Sequence, residues 1–128
     1  MLICLFFDEN LKESFMKIKT IEKYGAVIVE LKGNVMGGDD TKEFNDLLHK
    51  LIDETKIRVI IDLSAVKFMN SSGLGMLIGG LTTMKKANGF YKLANVTDKI
   101  ESLLIITKLI TIFEHYDSVE MAVESLPK

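Results

Sequence analysis

The chain has one cysteine, one proline and two histidines in 128 residues, and each scarcity closes a route. Cys4 alone cannot make an internal disulfide and fits a reducing cytoplasm. With no CxxC and no basic neighbour, it is not expected to be a redox thiolate. The histidines, His49 and His115, stand in no motif and are expected to be surface or packing residues rather than catalytic ones. There is no dense Lys/Arg cluster, and a formal net charge of -2 gives no reason to expect nucleic acid. Long apolar runs are also missing. The opening "MLICLFF" falls far short of the roughly 20 residues that cross a bilayer, and it lacks the basic stretch that precedes the apolar part of a signal peptide. The expectation is a cytoplasmic protein without membrane insertion. Nothing in these patterns asks for a metal or a cofactor.

What is present is ordinary for a soluble globular domain: 48% apolar and 27% charged residues. Residues 1–15 differ from the rest, and "MKIKTIEKYGAVIVELKG" reads as a natural beginning at Met16. We therefore expect an N-terminal extension over 1–15, either an added edge strand or an early start, and one domain over 16–128.

"KIKTIEKYGAVIVELKG" predicts two strands around a turn at Tyr24-Gly25. After the glycine-rich loop "GNVMGGDD", Asp40 and Glu43 have capping-box spacing. The helix they open would bury Phe44, Leu47, Leu48, Leu51 and Ile52. "KIRVIIDL" is a continuous apolar run, as in a central strand covered on both faces. A second helix is expected over about 72–87, ending at Asn88-Gly89. "FYKLANV" reads as a strand, and Asp98 with Glu101 as the start of a short helix. "ITIF" reads as a short last strand, and a final helix is capped by Asp117 with Glu120. The order ββαβαβαβα predicts an α/β domain: a mixed sheet, part of it parallel, with about four helices packed against it. Functional groups in such sheets gather at the carboxyl ends of strands. Asp62, read as the end of the central strand, is expected either near such a site or as a plain strand-terminating polar residue.

One junction stands at such an end: "KFMNSSGLGMLIGG", Lys67 to Gly80. It is not a nucleophile elbow, since neither serine has glycine on both required sides. Its glycines do not have GxGxxG spacing, and there is no Walker A loop. Catalysis is not expected. Asn70, Ser71 or Ser72 would cap the helix, but three capping residues followed by Gly73 and Gly75 exceed what a cap requires. A helix start offers free N–H groups and the positive end of the macrodipole, so a covalent phosphate is tolerated there. A serine that accepts phosphate from a partner kinase needs no base of its own.

"VIIDLSAVKFMNSSGLGMLI" resembles the anti-sigma factor antagonist family of the STAS domain superfamily, marked by a strand, D-L-S, and then D/N-S-S/T-G-L-G. The element order from about Lys17 to Leu126 is similar too. The resemblance implies a bacterial regulator of transcription that is not an enzyme. It binds a serine-kinase anti-sigma factor carrying ATP, with the second serine of the pair, Ser72, as phosphate acceptor. A phosphoserine phosphatase is a further implied partner. Asn70 stands where the family often has aspartate. Met36 stands near the family's acidic loop position, with Asp39 and Asp40 slightly later. Two other roles remain open: a STAS subunit in a larger assembly, such as a stressosome-like scaffold or a lipid-transport complex, or a small-ligand or nucleotide sensor.

The helical wheel of the second helix adds a surface. Leu74, Leu77, Ile78 and Leu81 share one face, expected on the sheet. Ser72, Met76, Gly79 and Thr83 share the opposite face, with Gly75 beside them. An exposed mid-helix glycine costs roughly 1 kcal/mol against alanine, and a close-approaching partner would explain Gly79. The expected partner footprint runs over Met36, Gly37, Gly38, Asp39, Asn70, Ser71, Gly75, Met76 and Gly79.

Overall fold

Two adjacent residues in left-handed backbone, Tyr24 (φ 57°) and Gly25 (φ 73°), make the first reversal among the described residues, the arrangement that matches the twist of a two-stranded ribbon. The computed structural model describes residues 16–127; the expected extension over 1–15 lies outside the described residues. The turn joins β1 (Lys17–Lys23) to β2 (Ala26–Val35), antiparallel with Lys17 opposite Lys32. Then follow α1 (Asp39–Asp53), β3 (Arg58–Met69), α2 (Ser71–Lys86), β4 (Phe90–Ala94), α3 (Asp98–Ile106), β5 (His115–Tyr116) and α4 (Val119–Glu124). The expected order ββαβαβαβα is realised. The sheet order is β1-β2-β3-β4-β5, with every pair after the first parallel.

The apolar run of β3 is continuous because the strand is central and covered on both sides. Val59, Ile61 and Leu63 point to one face with Val29 and Leu31 of β2, under Phe44 and Leu48 of α1 and Leu77 and Met84 of α2. All of these are at most 1% exposed. Ile60 points the other way, joining Ala26, Ile28 and Ala94 beneath Ala122 and Leu126. Each of the Val, Leu, Ile, Phe and Met side chains among them, fully buried, contributes about 1.5–3 kcal/mol relative to exposure. The stop of α2 is chemically explicit. Asn88 (φ 59°) donates its amide to the Lys85 carbonyl, and Gly89 donates to Met84 at 2.8 Å, a Schellman closure.

Several expected boundaries move. Asp40 does not cap α1: Gly38 (φ 67°) precedes the helix, and the buried Asp40 carboxylate accepts the Met16 amide at 3.2 Å. Thr97, not Asp98, is the residue before α3. Ser118, not Asp117, caps α4, accepting the Met121 amide at 3.1 Å. The capping-box spacing is off by one residue at α3 and α4, where a second small polar residue adjoins the first, and by two at α1, where Gly38 takes the place before the helix. "ITIF" is not the last strand. Phe113 is buried in the core, and the chain reaches β4 only beyond it, at His115 and Tyr116.

Candidate functional site

Because β2 and β3 are parallel with Val35 beside Met69, their carboxyl ends release the chain at the same edge. The Met36–Gly38 loop and the Asn70–Ser72 helix start are thereby set side by side. The Asn70 amide donates to the Val35 carbonyl at 3.3 Å, which ties the two exits together. Asn70 then turns outward in extended backbone, and its Oδ1 accepts the Gly73 amide at 2.8 Å. It is the N-cap of α2, and its own carbonyl accepts the Leu74 amide at 2.9 Å.

Two glycines set how closely these segments meet. A β-carbon on Gly73 would lie 1.9 Å from the Val35 carbonyl oxygen, so only glycine lets the helix start against β2. A β-carbon on Gly37 would lie 2.8 Å from Ser72 Cβ, and Gly37 also has a φ of 78°. The loop backbone therefore touches the first turn of α2. Ser71 and Ser72 occupy the first two positions of this 16-residue helix, and both are exposed. Their turn holds no acidic residue, while the start of α1 carries Asp39, exposed, and Asp40, buried. The arrangement presents hydroxyls at the positive end of a long helix.

Most expected footprint residues come together here. Met36, Gly38, Asp39, Ser71, Ser72, Gly75 and Gly79 are exposed; Asn70 is half-buried, and Gly37 is buried against Ser72. Met76 is a correction: it is 3% exposed and part of the core. A wheel that assumes only the sheet beneath α2 places it outward, but α1 packs along the flank and widens the buried arc. A groove of about 480 Å³ lies between the two helices, walled by Thr41, Phe44 and Asn45 on α1 and by Gly75, Gly79 and Gly80 on α2. Among the described residues nothing lies within 4 Å of a β-carbon at Gly75 or Gly79. Gly80 is different and was not singled out from the sequence. A β-carbon there would sit 2.7 Å from Tyr91 Oη and 2.8 Å from Phe44 Cε2. The Tyr91 hydroxyl is buried without a hydrogen-bond partner among the described residues, and desolvation raises its pKa well above the usual phenol value.

Asp62 is a second correction. The strand does not end there but runs on to Met69. Asp62 is buried in mid-strand, accepting the Ser64 amide and Asn95 Nδ2, each at 3.0 Å. Roughly 25 Å of strand separates it from Asn70. His49 and His115 are both exposed. Among the described residues no base hydrogen-bonds Ser71 or Ser72, no group of three His, Cys, Asp or Glu could hold a metal ion, and no helix is long and apolar enough to cross a membrane.

A partly parallel sheet whose central strand ends in a capped serine pair, with helices over both faces, defines a class of small α/β domains. The chain belongs to the STAS domain family, whose sequence model matches residues 17–122. A Thermotoga maritima protein named as an anti-sigma factor antagonist is 29% identical over 69 residues, 54% of this chain and 61% of that protein's length. The anti-sigma F factor antagonist of Paenibacillus polymyxa is 25% identical over 108 residues, 80% of this chain and 88% of that protein. The crystal structure of an anti-sigma factor antagonist from Thermotoga maritima superposes with a TM-score of 0.74 at 21% identity, covering 88% of this chain and 95% of that one. The Bacillus cell fate determinant SpoIIAA, solved in its phosphorylated form, gives 0.62 at 16% identity, over 86% and 97%. At these identities the superpositions speak for the fold.

Proposed function

We propose that this chain is an anti-sigma factor antagonist switched by phosphorylation of Ser72, with a serine-kinase anti-sigma factor as its partner. The observation that carries the reading is the exposed Ser72 at the start of α2, between the Asn70 cap and the Gly37 backbone. The chain supplies a fixed hydroxyl with no base beside it among the described residues, so transfer depends on positioning and on charge neutralisation from a kinase that brings ATP and magnesium. The protein itself catalyses nothing. The helix start tolerates the added phosphate. A partner seated over the Met36–Gly38 loop and the Gly75–Gly79 side of α2 would meet about -1.5 to -2 new charge inside the contact, and repulsion and desolvation would release it. SpoIIAA, named above in a phosphorylated form, supports this reading by analogy of fold. A cytoplasmic location follows from such a partner.

The test is intact mass after incubation with ATP and a serine-kinase anti-sigma factor of the same organism. One phosphoryl group should be added to the wild type and to Ser71→Ala, and none to Ser72→Ala. Labelling lost only in Ser71→Ala would move the acceptor by one residue. No labelling with any such kinase would favour a permanently docked scaffold subunit.

A further inference from the structure

The carboxyl end of β3 carries an apolar surface that the fold does not use. Among the described residues Phe68 is 52% exposed and Ile106 77%, and the two wall a groove of about 250 Å³ between β3 and α3, with Lys67 and Lys99 beside them. The volume is below the roughly 300–1,000 Å³ of pockets that enclose small ligands, so the groove is a dimple in a surface rather than a ligand cavity. α3 buries Ile100 and Leu104. At about 100° per residue Ile105 and Ile106 fall on its outer side, and Ile105 is 54% exposed. Isoleucine has a lower helix propensity than leucine or lysine, so neither the helix nor the core accounts for this pair. Large apolar side chains grouped this way mark a contact surface rather than scattered exposure.

Lysines surround it. Asn34 of β2 is opposite Phe68, so the two point to the same side of the sheet. Lys32, two residues before Asn34, shares that side, as does Lys17, opposite Lys32 in β1. One strand spacing and two residues of rise put Lys32 about 8 Å from Phe68, and a second spacing puts Lys17 about 12 Å away. With Lys67 and Lys99 they make four exposed lysines around the apolar groups, in a chain whose formal net charge is -2. The carboxylates stand further off. Glu30 lies two residues beyond Lys32, away from Phe68, and Asp98 and Glu101 are in the first turn of α3, whereas Ile105 and Ile106 end it. Composition decides the occupant. The cores of protein–protein contacts are enriched in aromatic residues, Met and Arg and depleted in Lys, whereas surfaces that lie on a membrane combine large apolar side chains with lysine. One phenylalanine, two isoleucines and four lysines have the second composition. We propose that this surface binds an anionic lipid bilayer peripherally, with Phe68 and the two isoleucines at the boundary of headgroups and acyl chains and the four lysines against lipid phosphates. Such a contact needs no spanning helix. The proposal is independent of Ser72.

The full chain should co-sediment with vesicles of phosphatidylglycerol and phosphatidylcholine in equal parts at least tenfold more strongly than with phosphatidylcholine alone, and high salt should remove the difference. Lys67→Gln with Lys99→Gln alters two exposed residues, so it should stay folded and weaken binding at least tenfold. Lys67→Arg with Lys99→Arg keeps the charge and should bind as the wild type does. The chain has no tryptophan, so Ile106→Trp reports its own surroundings. Its emission should move to the blue on the anionic vesicles. That of Tyr24→Trp, an exposed position at the opposite end of β2, should not. Three results would overturn the proposal. One is equal binding to the two kinds of vesicle. Another is binding undiminished by the Lys67/Lys99 glutamine pair, or a blue shift of Tyr24→Trp without one of Ile106→Trp, which would put the contact elsewhere on the chain. The third is no binding to either vesicle at low salt, which would leave the surface to a protein partner.

Discussion

Replacing Gly79 by glutamine separates a surface held open for a partner from a surface that is simply free. Among the described residues nothing lies within 4 Å of a β-carbon at Gly79, and its φ is not in the left-handed region, so the substitution costs no packing and no strain. It should gain helix propensity, about 0.5 kcal/mol when glutamine is set against glycine near 1 kcal/mol below alanine. For a domain of this size that corresponds to a melting temperature about 2 °C higher. The same side chain would project across the groove between α1 and α2, beside Gly75 and two helical turns from Ser72. Binding of the serine-kinase anti-sigma factor should then weaken at least tenfold, about 1.4 kcal/mol. Thermal melts and titration calorimetry on the same preparation read both quantities. A lowered melting temperature would refute the claim of open space. Unchanged affinity would remove this flank of α2 from the interface.

Gly80→Ala, one residue on, should destabilise by roughly 1–3 kcal/mol through overpacking, because its β-carbon meets Tyr91 Oη and Phe44 at 2.7 and 2.8 Å; a denaturant melt reads the loss. Tyr91→Phe removes a buried hydroxyl that has no partner among the described residues, and should be neutral or stabilising by about 1 kcal/mol in the same assay. Asn70→Ala should cost about 1 kcal/mol as a lost cap. Asn70→Asp should keep the cap and place a carboxylate beside the Ser72 hydroxyl, raising the phosphorylation rate in a kinase time course.

Much of this was legible because local pattern and global fold agree in the chain. The apolar run of β3 could only be a central strand, and Asn88-Gly89 stops α2 whatever packs on it. The serine pair followed by Gly73 marks a helix start pressed against another strand. What escaped depends on neighbours distant in sequence. Met76 is buried by α1, and no wheel of α2 alone contains α1. Gly79 and Gly80 look alike in the sequence, yet one faces solvent and the other Tyr91. Asp62 reads as a strand end because polar residues often are, whereas Asn95 of the following loop accounts for its place in mid-strand. The caps slipped where two capping residues adjoin, as at Thr97-Asp98 and Asp117-Ser118, and at α1, where a glycine, Gly38, precedes the helix.

The central claim is that charge on Ser72 governs partner binding, and its most direct measurement compares the affinity of one serine-kinase anti-sigma factor for the unmodified chain and for the chain stoichiometrically phosphorylated at Ser72. The account predicts binding at least tenfold weaker for the phosphorylated form, a difference of about 1.4 kcal/mol or more, and undiminished binding by Ser72→Ala, which cannot take the phosphate. Equal affinity of the two forms would contradict it.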